Sequence, residues 1–230
     1  LVQFGFELGE QTHLLHFERF NLALHVGDDA AAVLQNRSLL RKLLPSEPAW
    51  LTQVHGNLVL DAADVHHAPA ADASFTNQPG VVCAIMSADC MAVLLRDRRG
   101  NVVGAAHAGW RGLAGGVLEN TVSAMRQAGA DDVLAWLGPA IGPQHFEVGE
   151  EVRSAFTHLG VQAERAFKPL EAKPGKYLAD LAQLARLALD KVGVKQVSGG
   201  HDCTVSDPQR FYSFRRDQVT GRMASLIWIK

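Results

Sequence analysis

A chain of 230 residues, 47% of them apolar and 20% charged, can bury a sizeable core in one large domain or two small ones. Its net charge of −2 comes from interleaved acidic and basic residues, which argues against a dedicated nucleic-acid surface. No apolar run reaches the roughly 18 residues a membrane span needs, Leu1–Glu10 does not read as a signal peptide, and three widely spaced cysteines suggest no disulfide framework, so a reduced, cytoplasmic chain is expected.

Residues 1–20 are weakly patterned. Asp28 or Asp29 can cap a helix over Ala30–Leu44, with Arg37, Arg41 and Lys42 toward its end and Pro45 and Pro48 closing it. Strands are expected from Asn57–Ala62, Val81–Met86 and Met91–Arg96. Arg99-Gly100-Asn101 reads as a hairpin turn into Val102–Ala106. Gly109, Gly112, Gly115 and Gly116 then surround the start of a helix that runs to about Gln127, with Gly129 as its terminator. Val133–Leu137 reads as a strand that ends in the rigid turn Gly138–Pro143. Helices follow at Gly149–Leu159 and Tyr177–Val192, the second with Leu178, Leu181, Leu184, Ala185 and Ala188 on one face. Gln196–Gly199, Arg210–Phe214 and Met223–Ile229 complete the strands. With no linker, charge block or internal repeat, the pattern predicts one α+β (mixed α/β) domain over 1–230 with a mixed sheet.

Three short stretches place a metal-ligand residue type at a strand end beside small residues: Gln53-Val54-His55-Gly56, Ser87-Ala88-Asp89-Cys90 and Ala106-His107-Ala108-Gly109. One thiolate and two imidazoles suit zinc, with copper as competitor, and three protein ligands leave a fourth position open. The spacing of the trio is no known zinc signature, and His66-His67 forms a rival pair in a polar loop. Asp89 can orient a ligand histidine or shuttle a proton; as a turn residue it would bond its own backbone instead. Arg111, among glycines at a helix start, suits an anion, or else is simply solvated. Cys203, after a strand, lines a cleft or is a buried spectator. Arg215 or Arg216 contacts substrate or pairs with a carboxylate. Cys83 reads as a core residue.

Taken in order, Thr52–Gly56, Ser87–Cys90, His107–Leu113, Gly138–Gly142, Phe211–Asp217 and Gly221–Ser225 resemble the YfiH family, described also as the multicopper polyphenol oxidase or laccase-domain family and as purine nucleoside phosphorylases. The resemblance extends to His25–Asp29, Ala71–Ala73 and Thr76–Gly80. It implies zinc on His55, Cys90 and His107. It also implies phosphorolysis of adenosine, inosine and methylthioadenosine, and deamination of adenosine. Purine nucleoside and phosphate would be the partners, and the fold a core of mixed β-sheets with helices outside, shared with a bacterial toxin deamidase. Asp89 and Arg111 are the catalytic candidates; Asn21, Cys203 and Arg215 are candidates to line the substrate. Family members usually carry an Arg-x-Gly-Gly-Val-Ser type loop near the start, and Glu7–Glu18 does not show it.

Two rival chemistries stay open. A true multicopper phenol oxidase would need about ten ligands, usually in paired His-x-His motifs, and the chain has no such motif; copper at the single site could still give weak phenol oxidation. A cysteine hydrolase would use Cys90 as nucleophile and His107 as base. A binding module without catalysis is a weaker fit, because small residues around ligand types favour a substrate cleft.

Overall fold

In the computed structural model, which describes residues 20–230, the Asp29 carboxylate accepts hydrogen bonds from the N–H groups of Ala31 and Ala32 and starts α1 (Ala30–Arg41). The chain then forms β1 (Pro48–Ala49), β2 (Val59–Asp61), β3 (Ala73–Thr76), β4 (Val82–Ser87), β5 (Met91–Asp97) and β6 (Val103–Ala108). The segment Glu7–Glu18 lies outside the described residues. Gly100, at φ +77°, turns the hairpin between β5 and β6, as its sequence predicts.

The single helix expected after Gly109 is two: α2 (Trp110–Ala114) and α3 (Val117–Gln127). Gly116 sits between them at φ +87°, which an α-helix cannot contain. Then come β7 (Val133–Leu137), β8 (Glu147–Gly149), α4 (Glu150–Ala155), α5 (Val161–Glu164), β9 (Phe167–Pro169), β10 (Lys176–Ala179), α6 (Leu181–Lys191), β11 (Gln196–Gly199), α7 (Phe214–Asp217) and β12 (Met223–Trp228).

Three expectations change here. The helix over Gly149–Leu159 ends at Ala155 and continues only as a 3₁₀ turn at Thr157–Leu159. The helix over Tyr177–Val192 begins later, because Lys176–Ala179 pairs with both β8 and β9 and Asp180 caps α6 through the Gln183 N–H. Arg210–Phe214 is no strand: Phe211 and Tyr212 are buried from a coil, and the Ser213 hydroxyl accepts from Arg216 N–H to start α7.

Six strands form the main sheet in the order β11-β7-β5-β6-β3-β2, parallel at its two outer pairs and antiparallel within. A smaller sheet, β1-β4-β12, is also mixed, and β8-β10-β9 is antiparallel. Side-chain alternation assigns the layers. Ala92 and Leu94 of β5 and Val103 and Ala105 of β6 pack against Cys83 and Ile85 of β4, so the two sheets are stacked. Val93 and Leu95 face the other way, onto Leu118, Val122, Leu184 and Leu189 of α3 and α6. The outer face of the small sheet, with Val82, Ala84 and Leu226, packs on Leu40 and Leu44 at the end of α1. The result is the expected mixed α+β domain, with helices outside stacked sheets. Among the described residues no helix is long and apolar enough to cross a membrane.

Candidate metal centre

His107 stands near the end of β6, Cys90 immediately before β5, and His55 in the loop that follows β1. The topology brings all three to one end of the stacked sheets. One ligand atom from each lies within 4.8 Å of the others, and among the described residues this is the one such group of metal-ligand types. Cys90 Sγ is 3.7 Å from His55 Nε2, and the two imidazoles meet edge to face with centroids 4.8 Å apart. His107 is buried, Cys90 half-buried and His55 exposed, so the trio opens to solvent on the His55 side. His66 and His67 are exposed and take no part.

A residue that carried no role in the sequence reading organises this site. Asp72, fully buried just before β3, accepts a 2.8 Å hydrogen bond from His107 Nδ1. Its carboxylate also accepts from the N–H groups of Val54, His55 and Gly56 at 3.1, 2.9 and 2.7 Å. One carboxylate therefore fixes the His107 ring and the loop that carries His55. With Nδ1 occupied, Nε2 is the nitrogen left for a metal, the usual arrangement of a carboxylate behind a ligand histidine. Burial raises the pKa of Asp72, but His107 and the backbone donors outweigh it and hold the group below the usual carboxylate range. The signal in the sequence was a carboxylate set among Ala70, Ala71 and Ala73, too small and apolar a setting for a surface charge.

Two glycines admit the cluster. A Cβ on Gly109 would stand 2.8 Å from Cys90 Sγ and 3.0 Å from the His55 ring; one on Gly112 would stand 2.7 Å from the Gly56 carbonyl oxygen. His55 and Asp89 take φ of +61° and +89°, conformations that non-glycine residues adopt at a cost. Charge is also arranged for a metal. Burial would raise the Cys90 pKa, yet hydrogen bonds and positive charge from His107 and His55 lower it to about 6. Burial would lower His107, yet Asp72 and the Cys90 thiolate raise it to about 9. Cys83, buried inside β4, is pushed up to about 12 by burial and is a core residue, as its sequence suggests. The donor set thus fits a soft or borderline transition metal: a ready thiolate, two imidazoles, and a cradle that a single Cβ would obstruct.

The remaining candidates are spread around this centre. Asp89, buried beside Cys90, accepts from the Thr204 hydroxyl and from Arg215 N–H, both at 2.6 Å, and so ties the β4–β5 turn to the C-terminal loops. Arg111 is exposed on the five-residue α2, its guanidinium 4.4 Å over the Trp110 ring. Arg215 donates to the carbonyls of His145 and Glu147 and lies over Phe146, and among the described residues it forms no ion pair. Arg216 does pair with a carboxylate, that of Asp217. Asn21 is fully buried; its side chain bonds Ala23, Asp28 and the Arg222 N–H. Cys203 accepts from Gly142 N–H at 3.2 Å and lines a cleft of about 540 Å³ with Gln144, Gln183, Arg186 and His201. That cleft is bordered by α6 and is separate from the trio.

Known proteins share this architecture. A Pseudomonas aeruginosa protein named purine nucleoside phosphorylase is 52% identical over 93% of this chain and 87% of its own length. The Escherichia coli protein named purine nucleoside phosphorylase YfiH is 50% identical over the same shares. A crystal structure of a Neisseria meningitidis protein, described as belonging to the DUF152 family, superposes with a TM-score of 0.88 at 46% identity, covering 96% of this chain and 91% of that one. The family model described as multi-copper polyphenol oxidoreductase laccase matches residues 10–230, and on this match and these relatives the chain belongs to that laccase-domain family of YfiH-like proteins.

Proposed function

We propose that this protein is a zinc-dependent purine nucleoside phosphorylase acting on adenosine, inosine and methylthioadenosine in the cytoplasm, and that the same centre deaminates adenosine. The observation that carries the reading is the His55–Cys90–His107 trio, buttressed by Asp72 and open on one side, in a chain half-identical to proteins named purine nucleoside phosphorylase. His55, Cys90 and His107 would hold the metal, which when bound supplies Lewis-acid polarisation of a substrate oxygen or of water.

In phosphorolysis, an oxygen of hydrogen phosphate bonds to C1′ of the ribose and the C1′–N9 bond breaks. The bonding pair leaves with the purine, which takes up the phosphate proton, giving free base and ribose 1-phosphate. In deamination, water adds at C6 of the purine and ammonia leaves, giving inosine. The protein's part is to hold the reactants in line and to stabilise charge as the base departs. Asp72 keeps the His107 ring in one tautomer throughout. Asp89, its carboxylate bonded to Thr204 and Arg215, positions the Cys90 turn and is the candidate to carry a proton.

The test is product analysis. Purified protein with adenosine and phosphate should release adenine and ribose 1-phosphate, and Cys90→Ala should not; equal activity in the variant contradicts the reading. A second reading, a cysteine hydrolase, is favoured by the close approach of Cys90 to the two imidazoles, which lowers the Cys90 pKa and raises that of His107, the directions that favour a thiolate–imidazolium nucleophile. A chelator separates the two: it abolishes a metal activity and spares a thiol one. Copper in place of zinc is decided by metal analysis of protein from zinc-only and copper-only media, each assayed for phosphorolysis and for phenol oxidation.

A further inference from the structure

Phosphorolysis needs a cationic holder for phosphate beside the metal centre, and the sequence pointed to Arg111. The fold gathers two other arginines there. Met86 of β4 pairs with Ala224 of β12, and Ala224, Leu226 and Trp228 all face α1. Arg222 continues that alternation just before β12, and so projects on the α1 side of the small sheet. From α1, Arg37 reaches the same end: its Nη2 is 4.0 Å from Met86 Sδ and its guanidinium lies 4.2 Å over the Trp50 ring.

One residue joins them. The Leu22 N–H donates to the Arg222 carbonyl, and the Leu22 carbonyl accepts from Arg37 Nε at 2.8 Å. Asn21, buried, holds the Arg222 N–H on its side-chain oxygen. Arg222 Nη1 is anchored on the carbonyls of Thr220 and Gly221. Both guanidinium groups are half-buried, and neither forms an ion pair among the described residues. The acids in range are otherwise engaged: Asp89 by Thr204 and Arg215, and Glu47 by Trp50. Arg222 is close enough to Cys90 and Asp89 to feel both charges, and His25 feels Arg222 and Arg37 together. Two pre-held forks, neither ion-paired among the described residues, with Arg222 within range of the Cys90 charge and Arg37 at Met86 of the neighbouring strand, match the bidentate recognition of phosphate. Arg111 has neither the burial nor the anchoring.

We propose that Arg37 and Arg222, with His25 at their rim, form the phosphate-binding site of this enzyme. The identity of the ligand rests on the phosphorylase reading; the site itself is tested without turnover. Inorganic phosphate, titrated against the metal-loaded protein at constant ionic strength, should raise its melting temperature saturably. Arg37→Gln and Arg222→Gln should each weaken that binding by about tenfold or more, while Arg111→Gln does not. In case either glutamine variant folds poorly, wild-type protein gives a second readout: the His25 imidazole resonances, assigned through His25→Gln, should shift with phosphate at the same half-saturation. No phosphate binding, binding that survives both substitutions, or loss on Arg111→Gln with His25 unmoved would overturn the site. Phosphate binding through Arg37 and Arg222 without any phosphorolysis would leave the site standing and sink the phosphorylase reading instead.

Discussion

The Asp72 carboxylate and the His107 imidazole are joined by a 2.8 Å hydrogen bond that is sealed from water on both sides, at 0% and 4% exposure. The same carboxylate collects three N–H groups from the loop that presents His55. Two of the three proposed metal ligands, His107 and His55, are therefore set by one buried acid. Asp72→Asn keeps the volume but brings an amide N–H to face donors. Metal affinity should fall by roughly 10–100-fold, the usual cost of losing such a partner. Competition with a chromophoric chelator measures it, and an unchanged affinity would show that the ligands hold their own geometry.

The charges of the trio predict a pH dependence in metal-free protein. A lowered Cys90 pKa means that the thiolate persists as pH falls, and disappears only below about 6. Alkylation of Cys90 by iodoacetamide, followed by mass spectrometry, should rise with a midpoint near that value. Replacing His107 by Gln removes the largest stabilising partner and should move the midpoint up toward the ordinary thiol value of about 8.5. A wild-type midpoint already near that value would contradict the electrostatic account. Cys83 should stay unmodified throughout, since it is buried and its thiol is pushed up to about 12.

Asp89 separates positioning from proton transfer. Asp89→Asn can still accept from Thr204 but turns a donor toward the Arg215 N–H, so stability should drop by about 1–3 kcal/mol. Denaturant midpoints give that figure. If Asp89 also carries a proton, the variant loses one limb of the pH profile of kcat/KM; a pure positioning role lowers the whole profile without changing its shape.

Much of this was legible in the sequence where a regular period or a cap announced it. Asp29 before α1 and the leucine and alanine stripe of α6 are such signals, and β4 and β5 are built on the apolar runs Val82–Met86 and Met91–Leu95. The short strands β8, β9 and β10 had no period to show; they exist because they pair with one another. Arg210–Phe214 reads as a strand from its aromatic run, but Phe211 and Tyr212 are buried from a coil, and an aromatic run alone does not distinguish an anchored coil from a strand. At the site, residue types nominated His55, Cys90 and His107, and motif resemblance selected them from ten histidines and three cysteines. Asp72 and Arg222 could not be assigned a role that way, because their partners lie far along the chain and only the stacked sheets bring them together.

The claim on which the rest depends is that His55, Cys90 and His107 bind one metal ion. Anomalous diffraction from crystals of the protein, collected on both sides of the zinc edge and of the copper edge, tests it most directly. The account predicts a single peak among those three side chains that appears across the zinc edge and not across the copper edge. A peak at another cluster, or none in crystals of protein that carries stoichiometric zinc, would contradict it.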